Sequence, residues 1–308
     1  MTTAEYTFIM NPMAGKGSGL RADEELEGLL RRSGLDYAVV YTEGAGDATL
    51  LARRSKSRVV VAVGGDGTIN EVVNGIAGSE RIMGIIPTGS GNDLVKSLGI
   101  PHGVGKALEV LKAGHVRTMD VGKVQTGTRE NGSIMYAPWR LFANGVGIGF
   151  DAAVARKVSE ITYLRGTLLY LAAVLQIVGR YRSPEFLVQV DDQTWTGREL
   201  LIAVGNGRCA GGGFYLTPEA AVADGLLDMT VVGDAPVWRI LGLIPGVMSG
   251  KKVKRGFVRY LQGKNLEVTS LERFNVHADG EIVGREVHGV RVGIEPGVLH
   301  AVCGTDMG

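Results

Sequence analysis

Near the start of this chain three apolar runs each end in a glycine-dense loop, and each loop leads into a helix-like stretch. Tyr6 to Met10 runs into Asn11-Pro12-Met13-Ala14-Gly15-Lys16-Gly17-Ser18-Gly19. Arg58 to Val63 runs into Gly64-Gly65-Asp66-Gly67-Thr68, and Arg81 to Ile86 into Pro87-Thr88-Gly89-Ser90-Gly91-Asn92-Asp93. A buried strand handing over to a glycine turn and then a helix is the unit of a parallel, doubly wound sheet. Tyr37 to Tyr41 reads as a further strand. Helices are expected over Leu20–Ser33, Ala45–Ser55, Ile69–Ala77, from Asp93 onward, and over Gly103–Ala113. In such a sheet the carboxyl ends of all strands share one rim, where helix N-termini turn free N–H groups toward a ligand.

Near Thr118 the alternation stops. Arg117–Val124, Trp139–Gly147, Glu185–Val190, Glu199–Asn206, Leu227–Val232, Leu266–Ser270, Phe274–Ala278 and Val290–Ile294 all read as strands separated by turn signals. Two helical intervals interrupt them, Phe150–Val178 and Val237–Met248. Strands without alternating helices indicate an antiparallel sandwich or barrel. The expectation is an α/β domain followed by a β domain, which suits 308 residues at about 150 per domain.

Composition removes several function classes. Lys plus Arg is 33 and Asp plus Glu is 32, a balance that gives general nucleic-acid binding no support. Cys209 and Cys303 stand far apart with no His or Cys at ligand spacing, so they read as free thiols in a reducing compartment rather than a zinc site. Met1–Met10 lacks the basic-then-apolar pattern of a signal peptide. The longest apolar stretch, Leu168–Val178, is about half of what a bilayer-spanning helix requires. A cytoplasmic protein is expected, with contact at a membrane surface left open.

The three loops carry the chemistry. Glycines let backbone approach phosphate oxygens without Cβ clashes, Thr68 can cap the helix that follows, and Asp66 puts a carboxylate where Mg²⁺ would be needed. Any one loop alone reads equally well as a tight strand–helix turn. Three on one rim, each combining Gly with Asp, Asn, Thr or Lys, point to a phosphate-binding cleft. Lys16 is not in a Walker A spacing, and the G-x-G-x-x-G fingerprint is missing after these strands.

Taken together, Asn11-Pro12 with Gly15-Lys16, Gly64 to Thr68, and Gly89 to Asp93 resemble the catalytic domain shared by diacylglycerol, sphingosine and ceramide kinases. Gly205-Asn206-Gly207-Arg208 with Gly211-Gly212-Gly213, Asp224-Gly225-Leu226-Leu227-Asp228 and Asp279-Gly280-Glu281 resemble the soluble bacterial lipid kinase branch of that family. The resemblance implies an ATP-dependent lipid kinase using Mg²⁺, with diacylglycerol or a related lipid as acceptor. It implies a nucleotide-binding domain over residues 1–122 and a β-sandwich over 123–295. Residues 296–308 would return to the first domain as a strand, and the active site would lie between the two.

By the same resemblance, Asn11, Lys16, Thr42, Gly64, Gly65, Asp66, Gly67, Thr68, Ile69, Asn70, Ser90, Asn92 and Asp93 would bind the nucleotide. From the residues alone, Thr42 is merely a hydroxyl at a strand end. Glu281 would be the general base, with Asp66 the rival for that role; read in isolation, Asp279-Gly280-Glu281 is a solvated hairpin turn. Ala221, Asp224 and Leu226 would hold a structural Mg²⁺, Ala221 and Leu226 through main-chain oxygens. Ser90 stands where the family often has Thr, and Arg165 where a Lys often precedes the apolar helix.

Leu168–Val178 and the basic run Lys251, Lys252, Lys254, Arg255 suit a lipid substrate met at a membrane surface, although a core helix and a solvated charge run explain each separately. Similar bacterial proteins imply a homodimer. Two other functions use the same loops: an NAD kinase, which shares GGDGT, and a nucleotide-binding protein without catalysis.

Overall fold

The computed structural model describes residues 4–14, 18–161 and 166–305. The first nine elements are β1 (Tyr6–Met10), α1 (Ser18–Ser33), β2 (Tyr37–Tyr41), α2 (Asp47–Arg54), β3 (Val59–Gly64), α3 (Asp66–Ile76), β4 (Ile82–Pro87), α4 (Asp93–Ser97) and α5 (Val104–Ala113). Then come β5 (Val116–Glu130), β6 (Ser133–Tyr136), β7 (Arg140–Phe142), β8 (Gly145–Gly149), α6 (Phe150–Glu160), α7 (Gly166–Ile177), β9 (Glu185–Val190) and β10 (Gln193–Gly205). The chain finishes with β11 (Leu227–Gly233), α8 (Val237–Leu241), α9 (Ile244–Met248), β12 (Val258–Gly263), β13 (Asn265–Ala278) and β14 (Glu281–Val302). The fold is α/β plus β. It divides into one unit of residues 1–121 with 296–308 and a second of 122–295.

In the first unit the strand order is β2-β1-β3-β4, with the end of β14 beside β4, and every one of these pairings is parallel. β3 is central because it is Val-rich and buried along its whole length, as expected of a strand covered on both faces. β2, at the edge, is only partly covered. The helices pack in two pairs, α1 with α5 and α2 with α3. Gly75 permits the second pairing, since a Cβ there would stand 2.5 Å from the Ala52 methyl group. His300 and Ala301 of β14 lie parallel to Ile82 and Met83.

In the second unit the order is β12-β11-β10-β8-β13-β14, with β9 bridging β10 and β13 and β5 pairing β6 and β7. β9 alternates exposed and buried residues, sending Phe186, Val188 and Val190 into the interior. There the Phe186 and Phe274 rings meet edge to face at 5.0 Å. Burying each of these rings contributes about 2–3 kcal/mol. A second apolar cluster gathers Phe150 and Val154 of α6, Leu169 and Ala173 of α7, Ile240 of α8, and Leu200 and Val232 from the strands.

Several elements differ from the sequence reading. The interval Phe150–Val178 breaks into α6 and α7, and Val237–Met248 breaks into α8 and α9, where Gly242 weakens the helix and Pro245 restarts it. The helix from Asp93 lasts only five residues. Trp139–Gly147 divides into β7 and β8. β5 runs past Val124 into a hairpin with β6, closed by Asn131 and Gly132, both at positive φ. Local composition marks such turns, but which neighbouring strand accepts the ladder is a tertiary matter.

Candidate active site

Because β1, β2, β3 and β4 are parallel, their last residues form one row: Met10 pairs with Tyr41 and Val63, and Gly64 with Pro87. Main-chain bonds carry the row one residue further. Asn11 N–H donates to Val63 O (3.0 Å), Thr42 N–H to Met10 O (2.9 Å) and Thr88 N–H to Gly64 O (2.9 Å). Asn11, Thr42, Gly64 and Thr88 therefore stand side by side at the rim. Thr42 is buried, and Lys16 lies outside the described residues.

The loop after β3 is tighter than the sequence suggested. α3 begins at Asp66, not Ile69, with Gly65 in an extended conformation as N-cap. Thr68 is thus inside the first turn and does not cap the helix; its hydroxyl accepts from Asn11 Nδ2 at 3.1 Å. A Cβ on Gly64 would stand 2.4 Å from that hydroxyl, so glycine is needed for the turn to close. The first intrahelical bond of α3 joins Ile69 N–H to Gly65 O, which leaves the N–H groups of Asp66, Gly67 and Thr68 at the open end of the helix. Ile69 itself is core, and the buried Asn70 side chain accepts from Asn74 Nδ2. Neither of those side chains faces solvent.

Asp66 ties this loop to the next one. Its carboxylate accepts from Asn92 N–H (2.9 Å) and Asp93 N–H (2.8 Å). Asn92 sits in the left-handed region at φ 49° and donates its side-chain amide to Gly89 O, while its buried Oδ1 has no hydrogen-bond partner among the described residues. Asp93 pairs with Lys96 at 2.9 Å. Gly65 and Gly89 touch backbone to backbone, since a Cβ on Gly89 would stand 2.5 Å from Gly65 Cα. Ser90 is exposed at the tip. A Cβ on Gly91 would meet Asp66 Oδ2 at 2.6 Å and Asp93 Oδ2 at 3.6 Å, so both carboxylates face one small space. Two carboxylate oxygens around such a space suit a hard divalent cation, and the open end of α3 suits phosphate oxygens.

In the second unit Glu281 follows a two-residue hairpin turn, Asp279-Gly280, both at positive φ. The Asp279 carboxylate accepts from Ala143, Asn144 and Gly145 N–H at 2.8, 2.9 and 2.8 Å. Glu281 is about half exposed and forms an ion pair with Arg140 of β7. Just before the turn, His277 Nδ1 accepts from Gly280 N–H (3.3 Å), which leaves Nε2 to donate to Asp151 of α6 at 3.0 Å. Asp151 also lines a small pocket of about 70 Å³, walled by Phe150, Val154, Tyr170, Val174 and Phe214.

The Gly205-Asn206-Gly207-Arg208 block is a structural knot. Asn206 and Gly207 N–H both donate to Asn144 O, Asn206 Nδ2 donates to Ala143 O, and Thr217 donates its hydroxyl to Gly207 O. Asp224 lies exposed in the turn before β11, with Gly225 at φ +73° and Leu226 N–H donating to Asp224 Oδ1 at 3.0 Å. Burial pushes the neighbouring Asp228 carboxyl above its usual range, and Asp224 adds to that shift. Among the described residues no three His, Cys, Asp or Glu side chains cluster as a metal site. Cys209 and Cys303 are buried free thiols, and Arg165 lies outside the described residues.

Sequence reasoning missed Arg140, Asp151, His277 and Lys96, and it read Asp279 only as part of a turn. Two of these had a signal: Asp279-Gly280 is turn chemistry that predicts positive φ, and Asp93 with Lys96 has helical i, i+3 spacing. Arg140 and Asp151 meet partners more than 120 residues away, which no local pattern reports.

Two family models match the chain. The diacylglycerol kinase catalytic domain matches residues 5–124, and the YegS C-terminal NAD kinase beta sandwich-like domain matches residues 144–303. A diacylglycerol kinase of Staphylococcus saprophyticus is 28% identical over 284 residues, covering 90% of this chain and 89% of the relative. One of Mycobacterium tuberculosis is 29% identical over 282 residues, covering 90% and 88%. Among solved structures, a diacylglycerol kinase from Bacillus anthracis superposes with a TM-score of 0.71 at 23% identity, covering 99% of each chain. Yeast NADH kinase complexed with NADH superposes at 0.57 with 10% identity, covering 99% of this chain and 85% of that one. At these identities the two structures establish a common fold.

Proposed function

Since the chain belongs to the diacylglycerol kinase family, and so is a kinase, we propose that it transfers the γ-phosphoryl group of ATP to the hydroxyl of diacylglycerol or a closely related lipid. The observation that carries the reading is the rim of the first unit. The open N-terminus of α3 lies beside the two carboxylates that share the space around Gly91. Phosphoryl transfer asks a protein mainly for positioning and charge stabilisation, and these are the groups for it.

In this reading the N–H groups of Asp66, Gly67 and Thr68 bind phosphate oxygens, and Asn11 and Asn92 shape the loops around them. Asp66 and Asp93 would hold Mg²⁺, which when bound neutralises charge on the phosphates. Because Asp66 is engaged by two main-chain N–H groups, it serves as an organiser and Glu281 as the base that takes the acceptor hydroxyl's proton. Arg140 and the Asp279 clamp hold Glu281 in one orientation. The apolar pocket beneath α7 supports an acceptor with a hydrocarbon portion. Ala221, Asp224 and Leu226 would hold a second, structural Mg²⁺. The lipid would be met at a membrane surface by a homodimer, as similar bacterial proteins imply.

The test is transfer of radiolabelled γ-phosphate with Mg²⁺, offering diacylglycerol, sphingosine, ceramide and NAD in parallel. Label in diacylglycerol supports the reading. Label in NAD alone overturns it and favours the NADH kinase-like alternative that the common fold allows. Glu281→Gln should lower turnover by about 10²–10⁴ while ATP binding survives. Turnover near the parent rate would remove Glu281 from the role of base.

A further inference from the structure

Val276 and Ala278 of β13 point into the interior of the second unit, so strand alternation turns His277, between them, to the other face, against α6. His277 is buried there, beside the largely sheltered Asp151 of α6. A buried imidazole and a buried carboxylate are each costly unless bonded, and here each satisfies the other, with Nε2 donating to Asp151 Oδ2 at 3.0 Å. The contact occupies a slot in the sheet. Gly147 of β8 lies opposite His277 in the ladder, and a Cβ on Gly147 would fall on the Asp151 carboxylate and the His277 ring at once. Gly147 is not at positive φ, so glycine is needed there for room alone.

The other ring nitrogen reaches the turn that carries Glu281. Nδ1 accepts from Gly280 N–H at 3.3 Å, and Gly280 directly precedes Glu281. Gly280 stands at φ +84° with nothing within 4 Å of where a Cβ would be, so packing gives its peptide little restraint. Asp279 anchors the start of the turn, and Arg140 holds the far end of the Glu281 side chain. The peptide between those two ties is the part that His277 holds. Nδ1 can accept only while the ring hydrogen is on Nε2, and the bond to Asp151 keeps it there.

We propose that His277, its tautomer fixed by Asp151, is a positioning residue for Glu281: through Gly280 N–H it sets the peptide that aims the base at the acceptor hydroxyl. This rests on the reading of Glu281 as the base and adds the group that aims it. A histidine that only filled the core would need neither a particular tautomer nor an acceptor atom directed at the turn.

The experiment separates the two ring nitrogens in the full chain. Asn carries an amide oxygen near the position of Nδ1 but falls short of Asp151, whereas Gln reaches Asp151 and offers the turn no acceptor. His277→Gln should lower kcat for γ-phosphoryl transfer to diacylglycerol about 10²-fold with KM for ATP unchanged, because a misplacement of about 1 Å costs that much. His277→Asn should lose less than about tenfold. Each variant gives up one buried bond, so urea unfolding should report similar losses of stability for the two. His277→Gln placed on Glu281→Gln should slow the enzyme no further, since the imidazole acts only through that carboxylate. Equal falls in kcat for the Asn and Gln variants, or a further full fall on the Glu281→Gln background, would make His277 a core residue only and overturn the proposal. Long-range proton–nitrogen NMR spectra should show Nδ1 without hydrogen, and hydrogen on Nδ1 would overturn it too. A fast His277→Gln beside a slow Glu281→Gln sinks the proposal alone. A Glu281→Gln protein working near the parent rate removes the base reading, and the proposal falls with it.

Discussion

Replacing Gly91 by alanine adds one methyl group to the space shared by Asp66 and Asp93. Gly91 is not at positive φ, so alanine meets no backbone penalty and the effect is purely one of room. The new methyl would stand 2.6 Å from Asp66 Oδ2, inside van der Waals contact, so something must move. If the loop shifts, the cost is that of ordinary overpacking, about 1–3 kcal/mol. If Asp66 swings away it gives up its bonds from Asn92 and Asp93 N–H, at roughly 1.5–3 kcal/mol each for charge-assisted bonds. The first route is cheaper and should set the loss of stability. On either route the two carboxylates change their separation. Displacing one group that stabilises charge in the transition state costs about 10²–10³ in rate. Initial rates of γ-phosphoryl transfer, with urea unfolding alongside, give both numbers. Gly105→Ala in α5 is the control: its methyl meets only Leu29 at 3.7 Å. It should gain about 0.5–1 kcal/mol and leave the rate alone. A Gly91→Ala protein working within about threefold of the parent rate would refute the shared role of the carboxylates.

Asp279→Ala removes the acceptor of three main-chain N–H groups and should cost about 3–5 kcal/mol in urea unfolding, whereas a loss under about 1 kcal/mol would show that the clamp is dispensable. Asp279→Asn should lose less, because Oδ1 alone takes two of the three bonds. Phe186→Ala leaves a cavity against Phe274 and should cost about 3–5 kcal/mol by the same measurement. If the turn at Asp224 holds Mg²⁺, adding Mg²⁺ should raise the melting temperature of the parent but not of Asp224→Ala, and chelation should reverse the gain. Equal shifts in both proteins would place the stabilising ion elsewhere.

Much of the first unit could be read without coordinates. Tyr37–Tyr41 is the strand the composition suggests, and Val59–Gly64 is buried along its length as a Val-rich run before a glycine turn should be. Such runs carry their own period and punctuation, so the chain announces them locally. The helix that opens at Asp66 rather than Ile69 shows where this stops. Whether Thr68 caps a helix or sits within its first turn depends on the conformation of Gly65, and that depends on Gly89 pressing against it from another loop.

What the sequence determined by itself is the alternation of the first part, the run of strands in the second, and three glycine loops destined for one rim. Parallel pairing puts strand ends together whatever lies between them. What only the tertiary structure decided is which side chains act together. Asp66 grips the main chain of Asn92 and Asp93, Asp279 clamps residues 143–145, Arg140 holds Glu281, and His277 meets Asp151. Each of these joins residues separated by 26 positions or more. Local periodicity records which face a residue turns toward the core; it holds no record of which distant backbone or charge will be waiting there.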